Sequence, residues 1–389
     1  MNVLFLAHSY PQFATDPVGS FVLRLAVALR EEGIQVRVLA PSGPNLAASD
    51  VFEGIRVDRF RYAPGRFETL AYTGAMRTHV RESWSARAAL GGLLMAGTTR
   101  GLRVARGWPA QVIHAHWWFP GGLAGSVVSA LGGVPLVTTL HGSDVRIARS
   151  SAVSRRLFAH VLRRSYAVTT VSHWLAEETR RLVPAAHPTI APMPVAASFF
   201  TPRARRVRDR LLFVGKLNDQ KGIVPLLRAL ARMRNKPSLD IVAGIGGGEE
   251  PTRRLAAELG IAERVNWFPL LEQPALAELY RNSTALVVPA IDEGLGMTAI
   301  ESLLCSTPVV AFASGGLTDI VEDGRTGFLV PPGDVDALAV ALDRLLDLPD
   351  QGASLGATGR AHALARFAPS SVAQRYAAIY RSTFGPARG

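Results

Sequence analysis

The chain has 389 residues, 48% of them hydrophobic, with 36 glycines and a formal net charge of +12. That is long enough for two domains, each burying its own core, and too apolar for a disordered chain. The single cysteine, Cys305, excludes an intrachain disulfide and sits in the apolar run SLLCSTPVV, as a buried, inert thiol in a reducing cytoplasm would.

The charge is unevenly placed. Residues 1–200 carry 21 Arg against 11 acidic residues, whereas residues 201–389 carry 22 bases against 20 acids. In the second half Arg203, Arg205, Arg206, Arg208 and Arg210 crowd around Asp209, which leaves everything after them slightly acidic. A basic first half suits an anionic partner, either a membrane leaflet or nucleic acid. Solvated faces of an arginine-rich chain are the plainer reading.

The opening MNVLFLAHSYP has no basic leader and too short an apolar run for a secretory signal, so it reads as a first strand over 2–7. An amphipathic helix over 21–32 ends at Gly33 and is followed by a second strand over 36–40, a βαβ opening. Gly19 stands just before that helix, where a backbone can approach a ligand, although a lone turn glycine is usually only a turn.

From 56 to 107 the chain is irregular and basic. Arg77, Arg81, Arg87, Arg100, Arg103 and Arg106 interleave with Trp84, Leu90, Leu93, Leu94 and Met95. Such an amphipathic helix lies on an anionic bilayer or packs on the protein's own core, and both readings stay open.

A strand over 112–114 runs into His116-Trp117-Trp118, and one over 136–140 into His141-Gly142-Ser143-Asp144. Polar residues at the carboxyl ends of successive strands line a crevice, though a histidine there is often structural. The uncharged stretch 117–143 has the length of a membrane span, but Gly132-Gly133 and Pro135 divide it into a helix and a strand. A strand over 167–171 leads to Ser172-His173-Trp174, and a Pro-, Ala- and Arg-rich segment without sustained periodicity then marks a domain boundary.

The second domain opens with a strand over 211–214, the loop Gly215-Lys216-Leu217-Asn218-Asp219-Gln220-Lys221-Gly222, and a helix from 224. Only three of the 43 cationic residues are lysine, and Lys216 and Lys221 fall in this one loop. That points to sites wanting a compact ammonium instead of a planar fork, with chance clustering as the alternative. In DIVAGIGGGEE the glycines at 244, 246, 247 and 248 do not complete a G-x-G-x-x-G fingerprint.

The most informative stretch is 284–308. A buried strand over 285–288 feeds the loop Glu293-Gly294-Leu295-Gly296-Met297-Thr298, and Ile300, Leu303 and Leu304 then recur at helical spacing. Two glycines let the backbone approach a ligand, and the helix start offers unpaired N–H groups to phosphate. Glu293 and Glu301 are suited to accepting hydrogen bonds from sugar or ribose hydroxyls. Thr298-x-x-Glu301 is equally a capping box. Asp334-x-Asp336 resembles a metal-binding pair but reads better as the N-cap and first turn of a helix.

EGLGMTAIES resembles the EGFG-plus-helix segment and E-x7-E signature of glycosyltransferase family 4, the group 1 glycosyl transferases. The likeness extends over most of the chain: the 215–222 loop is similar to VGRL-x(n)-KG, LHGSD to HG-x-D, and PVVAFASGG to the closing glycine pair. It implies an α/β protein of the GT-B fold, two Rossmann-like doubly wound parallel-sheet domains facing each other across a cleft. The expected layout is an acceptor-side domain over 1–195, a linker over 196–210, a nucleotide-sugar domain over 211–365, and a helix over 366–389 returning to the first domain.

The resemblance further implies a retaining, metal-independent enzyme without cofactor. It would move a hexosyl group from a UDP- or GDP-sugar to a glycolipid or polysaccharide-precursor acceptor at the cytoplasmic membrane face. Carried over, Lys216 and Lys221 bind the donor diphosphate and take up leaving-group charge together with the amides near Gly296, Met297 and Thr298, in a donor-binding loop that includes Gly294 and Leu295. Glu293 then orients sugar hydroxyls, Glu301 the ribose and His141 the sugar; Pro269 and Leu270 hold the base, Gly19 lies under the diphosphate, and His116 belongs to the acceptor side. The chain departs from the pattern where Lys216 replaces an arginine, Gly19-Ser20 a glycine pair, Ser306 a glycine, and Met193-Pro194-Val195-Ala196 a glycine-and-acid hinge. Two rivals remain: a GT-B sugar-nucleotide epimerase and, from charge alone, a basic nucleic-acid-binding protein, whose arginines here lack a recognisable motif.

Overall fold

The computed structural model describes all residues except 15, 17, 73–75, 196–197, 203–208, 245–246 and 385–389. Most of the arginine run and part of the 193–196 hinge therefore lie outside the described residues. The chain divides into two compact units, Met1–Pro194 with Pro369–Gly389, and Val195–Ala368.

Unit 1 runs β1 (Asn2–Leu6), α1 (Ser20–Glu31), β2 (Gln35–Pro41), β3 (Ser49–Phe52), β4 (Ile55–Phe60), α2 (Met76–Glu82), α3 (Trp84–Gly107), β5 (Val112–His116), α4 (Leu123–Gly132), β6 (Leu136–Leu140), α5 (Ser143–Arg149), α6 (Ala152–Arg164), β7 (Ala167–Thr170), α7 (His173–Leu182) and β8 (Thr189–Ile190). Unit 2 runs β9 (Arg210–Gly215), α8 (Ile223–Arg232), β10 (Ser238–Ala243), α9 (Glu249–Glu258), β11 (Val265–Phe268), α10 (Gln273–Asn282), β12 (Ala285–Val288), α11 (Met297–Leu304), β13 (Val309–Phe312), α12 (Leu317–Ile320), β14 (Gly327–Val330), α13 (Val335–Asp347) and α14 (Ala353–Phe367). The last helix, α15 (Pro369–Ser382), belongs to unit 1 and packs on α1.

The first sheet has the order β3-β4-β2-β1-β5-β6-β7-β8, parallel except for the β3–β4 hairpin at its edge. The second has the order β11-β10-β9-β12-β13-β14 and is parallel throughout. Strands covered by helices on both faces must be apolar along their length, which is why β12 (ALVV) and β13 (VVAF) are buried at every position. Each order has a switch point, between β1 and β5 and between β9 and β12, where neighbouring connections leave in opposite directions and open a crevice at the carboxyl edge.

Several sequence-based bounds shift. Residues 198–202 are not a free linker: Phe200 is fully buried, and the Arg281 guanidinium donates to the carbonyls of Phe199 and Thr201. The expected boundary at 365/366 falls inside α14, and the unit boundary lies at Ala368/Pro369. The stretch from 56 is less irregular than its composition indicates. VFEGIRVDRF forms the β3–β4 hairpin around Glu53-Gly54, both at positive φ, and α3 is one helix of 24 residues. Asp334 is an N-cap, accepting from the Ala337 N–H at 2.9 Å.

Candidate functional site

In unit 2 the groups singled out from the sequence gather on the carboxyl edge beside the switch point. Gly222, at φ 73°, starts α8 and lies so close to the loop after β12 that a Cβ there would sit 1.8 Å from the Pro289 carbonyl oxygen. The Ile291 N–H donates to Gln220 O at 2.8 Å across the same contact. This packing brings Lys221 to Glu293, with Nζ to Oε2 at 2.5 Å.

The Glu293 loop is held from its other side by the glycine pair after β13. Gly316 N–H donates to Glu293 O at 2.7 Å, and a Cβ on Gly315 would meet that oxygen at 2.2 Å. Gly294 and Leu295 pass against Gly316, and Gly296, at φ 94°, begins α11 without a side-chain cap. Met297 and Thr298 form the first turn of that helix, whose leading N–H groups lack intrahelical partners. Lys216 is exposed at the end of β9, beside Gly244. Pro269 and Leu270 are exposed at the end of β11, farther along the same edge.

The capping-box alternative is not formed. Helix α11 starts at Met297 with Gly296 as N-cap, so Thr298 is already helical, and Glu301 Oε2 accepts from the Tyr280 hydroxyl at 2.9 Å. Burial raises the Glu301 carboxyl to about 7, against the opposing pull of that hydrogen bond. Tyr280 was missed from sequence because it lies on α10 and carries no motif of its own.

In unit 1 the corresponding edge is lined by histidines. His114 and His116 both belong to β5, which continues through His116 instead of stopping at 114. Two residues apart on one strand, they share a face, with ring centroids 4.2 Å apart. His116 Nδ1 lies 3.2 Å from His141 Nε2, so one of these nitrogens carries the shared proton. Trp117, at φ 64°, puts its ring 4.5 Å from those of both His8 and His141, and Phe21 closes in on His141 at 5.2 Å.

Asp144 explains why two separate loops hold this shape: its buried carboxylate accepts from the N–H groups of His141, Gly142 and Trp118 at 2.9–3.2 Å. Burial lowers His8 to about 4 and His114 to about 3. His116 and His141 are pushed well below 6.5 by burial and by the neighbouring imidazoles. The cluster is therefore neutral at physiological pH and can offer hydrogen bonds but no charge. Gly19 caps α1 at φ 73°, with room for no side chain, since a Cβ would lie 2.9 Å from Ser9 O. His8 and His114 were not singled out from sequence. The period-2 spacing of His114 and His116 was the available signal.

A sequence model of Glycosyltransferase Family 4 matches residues 18–199, and one of Glycosyl transferases group 1 matches residues 198–362. The chain belongs to glycosyltransferase family 4. D-inositol 3-phosphate glycosyltransferase of Thermobispora bispora is 36% identical over 304 residues, spanning 69% of this chain and 70% of that protein. Among solved structures, sucrose-phosphate synthase from Thermosynechococcus elongatus superposes with a TM-score of 0.82 at 23% identity, covering 98% of this chain and 99% of that one. Anabaena HepE in complex with UDP and glucose does so with 0.76 at 19%, covering 98% and 100%. The family-4 chain therefore has the GT-B fold and is a glycosyltransferase.

Proposed function

We propose that the enzyme is a retaining, metal-independent hexosyltransferase that takes a UDP- or GDP-sugar donor and passes its sugar to a glycan or lipid-linked acceptor. The carrying observation is the Lys221–Glu293 contact at the switch point of the second sheet, beside the uncapped start of α11. Transfer breaks the bond from the anomeric carbon to the diphosphate and leaves the electron pair on a phosphate oxygen. An ammonium at Lys221, a second at Lys216 and the first amides of α11 are groups that stabilise this charge as it develops. Glu293 then receives sugar hydroxyls and Glu301 those of the ribose, while Pro269 and Leu270 border the base.

In unit 1 the neutral His141 offers a hydrogen bond to the sugar without adding a competing charge, with Gly19 as a close-approach point for the diphosphate and His116 on the acceptor side. HepE is seen with UDP and glucose, which supports a uridine nucleotide as one donor to test. The Thermobispora relative acts by name on D-inositol 3-phosphate, so a phosphorylated polyol belongs beside glycans and lipids in the acceptor panel.

The test incubates radiolabelled UDP- and GDP-hexoses with each acceptor in the presence of EDTA and reads the product's anomeric configuration by NMR. Transfer with retained configuration is expected. Epimerised donor with no transfer, or transfer abolished by EDTA and restored by a divalent ion, would overturn the reading.

A further inference from the structure

The helices on one side of the first sheet carry a surface that the sugar chemistry does not use. Helix α4 packs between α3 and α6. Six large apolar side chains stand exposed on these three helices: Trp84 and Met95 on α3, Val127 and Leu131 on α4, Val153 and Leu157 on α6. Trp84 is 81% exposed, Met95 71% and Leu131 62%, values at which these side chains contribute almost nothing to the core. An apolar groove of about 290 Å³ runs between Met95 and Val127.

The charges on the same helices are all of one sign. Helix α3 bears Arg87, Arg100, Arg103 and Arg106, helix α6 bears Arg155, Arg156, Arg163 and Arg164, and neither helix nor α4 contains an acidic residue. All eight arginines are exposed. Among the described residues none of them is ion-paired to a carboxylate, whereas Arg24, Arg37 and Arg149 elsewhere in this unit are. Arg87 stacks on the Trp84 ring at 4.9 Å, and Arg106 lies against the Leu131 carbonyl, so cation and apolar group are interleaved.

We propose that the α3–α4–α6 face docks on an anionic lipid bilayer. Exposed Trp, Met and Leu on helices whose arginines pair with no carboxylate match the two layers of a membrane interface, acyl boundary and anionic headgroup. No described helix is long and apolar enough to cross a bilayer, so the contact is interfacial. A second copy of the chain fits the face poorly, because a two-fold interface would set one basic face without acidic residues against another. A nucleic acid would leave the six apolar side chains without a function. The proposal does not rest on the donor chemistry, and its test uses no sugar.

Full-length protein is sedimented with vesicles of phosphatidylcholine alone and of equal parts phosphatidylglycerol and phosphatidylcholine. Two exposed-surface variants are compared, Trp84→Ser/Met95→Ser/Leu131→Ser and Arg100→Gln/Arg103→Gln/Arg156→Gln, each checked for an unchanged melting temperature. The protein should pellet with the anionic vesicles only, and each variant should lower the partition coefficient about tenfold or more. The arginine effect should fade at about 0.5 M salt, where screening is short-ranged. No pelleting with anionic vesicles, or pelleting unchanged in both variants, would overturn the proposal. So would vesicle-independent dimerisation or duplex-DNA binding that the same variants abolish.

Discussion

Lys221 and Glu293, 72 positions apart in the chain, form an ion pair with Nζ and Oε2 at 2.5 Å, both side chains largely withdrawn from solvent. The resemblance gives these two residues different parts of the donor, diphosphate and sugar. Bound to each other, they join the two loops, and a donor bound as proposed would have to share or displace the contact.

Removing the carboxylate frees the ammonium. Glu293→Gln should therefore bind UDP or GDP as tightly as the parent or up to a few-fold tighter, while sugar transfer falls by about a hundredfold, the scale of one strong transition-state hydrogen bond. Calorimetry with the nucleotide alone, set beside a transfer assay, separates the two effects. Parallel loss of both would show that the pair only maintains the fold.

The glycine pair after β13 supports the same loop. Gly315 has φ 63°, and a Cβ there would lie 2.2 Å from Glu293 O, so Gly315→Ala has to displace the loop or strain the turn. The variant should lose about 1–3 kcal/mol of stability, the cost of a strained backbone position, and lose transfer disproportionately. Ser314→Ala, which removes an acceptor of the Asp292 N–H while keeping the backbone, should be milder. Thermal melts and initial rates of both variants give the ranking.

Bound to the ribose as proposed, Glu301 would make donor binding depend on pH. Its carboxyl is raised to about 7, mainly by burial, so near neutrality a fraction is protonated and has fewer lone pairs free to accept hydrogen bonds. Affinity for UDP should rise from pH 6 to pH 8 beyond what the ligand's own phosphate titration gives, and Glu301→Gln should remove that excess. Tyr280→Phe, which deletes the hydroxyl donating to Oε2, should raise the donor KM about three- to tenfold with a smaller change in kcat, the size of one neutral hydrogen bond.

The histidine cluster makes unit 1 acid-sensitive. Folded His8 and His114 titrate at about 4 and about 3, and His116 and His141 well below 6.5, whereas the unfolded chain titrates near 6.5. Below pH 6.5 the unfolded state binds more protons at these four groups, so their contribution to stability falls as pH drops toward 4, partly offset by Asp144, whose carboxyl burial raises to about 6. His8→Phe keeps a ring against Trp117 and removes one of these groups. Its melting temperature should fall less steeply than the parent's between pH 6.5 and 5.

The parts of this architecture that are local were legible in the sequence. The strand over 285–288, the glycine-broken loop and the helix after it follow from periodicity and turn chemistry, and the alternation of strands and helices implied parallel sheets. What depends on long-range packing was not legible. Nothing local to Lys221 or Glu293 shows that Gly222 will press against Pro289 and bring them together. The Thr298-x-x-Glu301 spacing pointed equally to a capping box, and only Tyr280, supplied by α10, decides against it. The β3–β4 hairpin was readable in the alternation around Glu53-Gly54, a signal masked by the weight of arginine from Arg56 onward. His8 was hidden because its neighbour in space, Trp117, is 109 positions away in the chain.

In the proposed enzyme a diphosphate is gripped in unit 2 by ammonium groups and the first amides of α11. The direct measurement is titration calorimetry of UDP and GDP into the parent and into Lys216→Met/Lys221→Met, with the melting temperature confirming that the variant is folded. Loss of about a hundredfold or more in affinity for whichever nucleotide the parent binds is predicted, as two charge-assisted contacts would give. A folded double variant that held the nucleotide as firmly as the parent would contradict it.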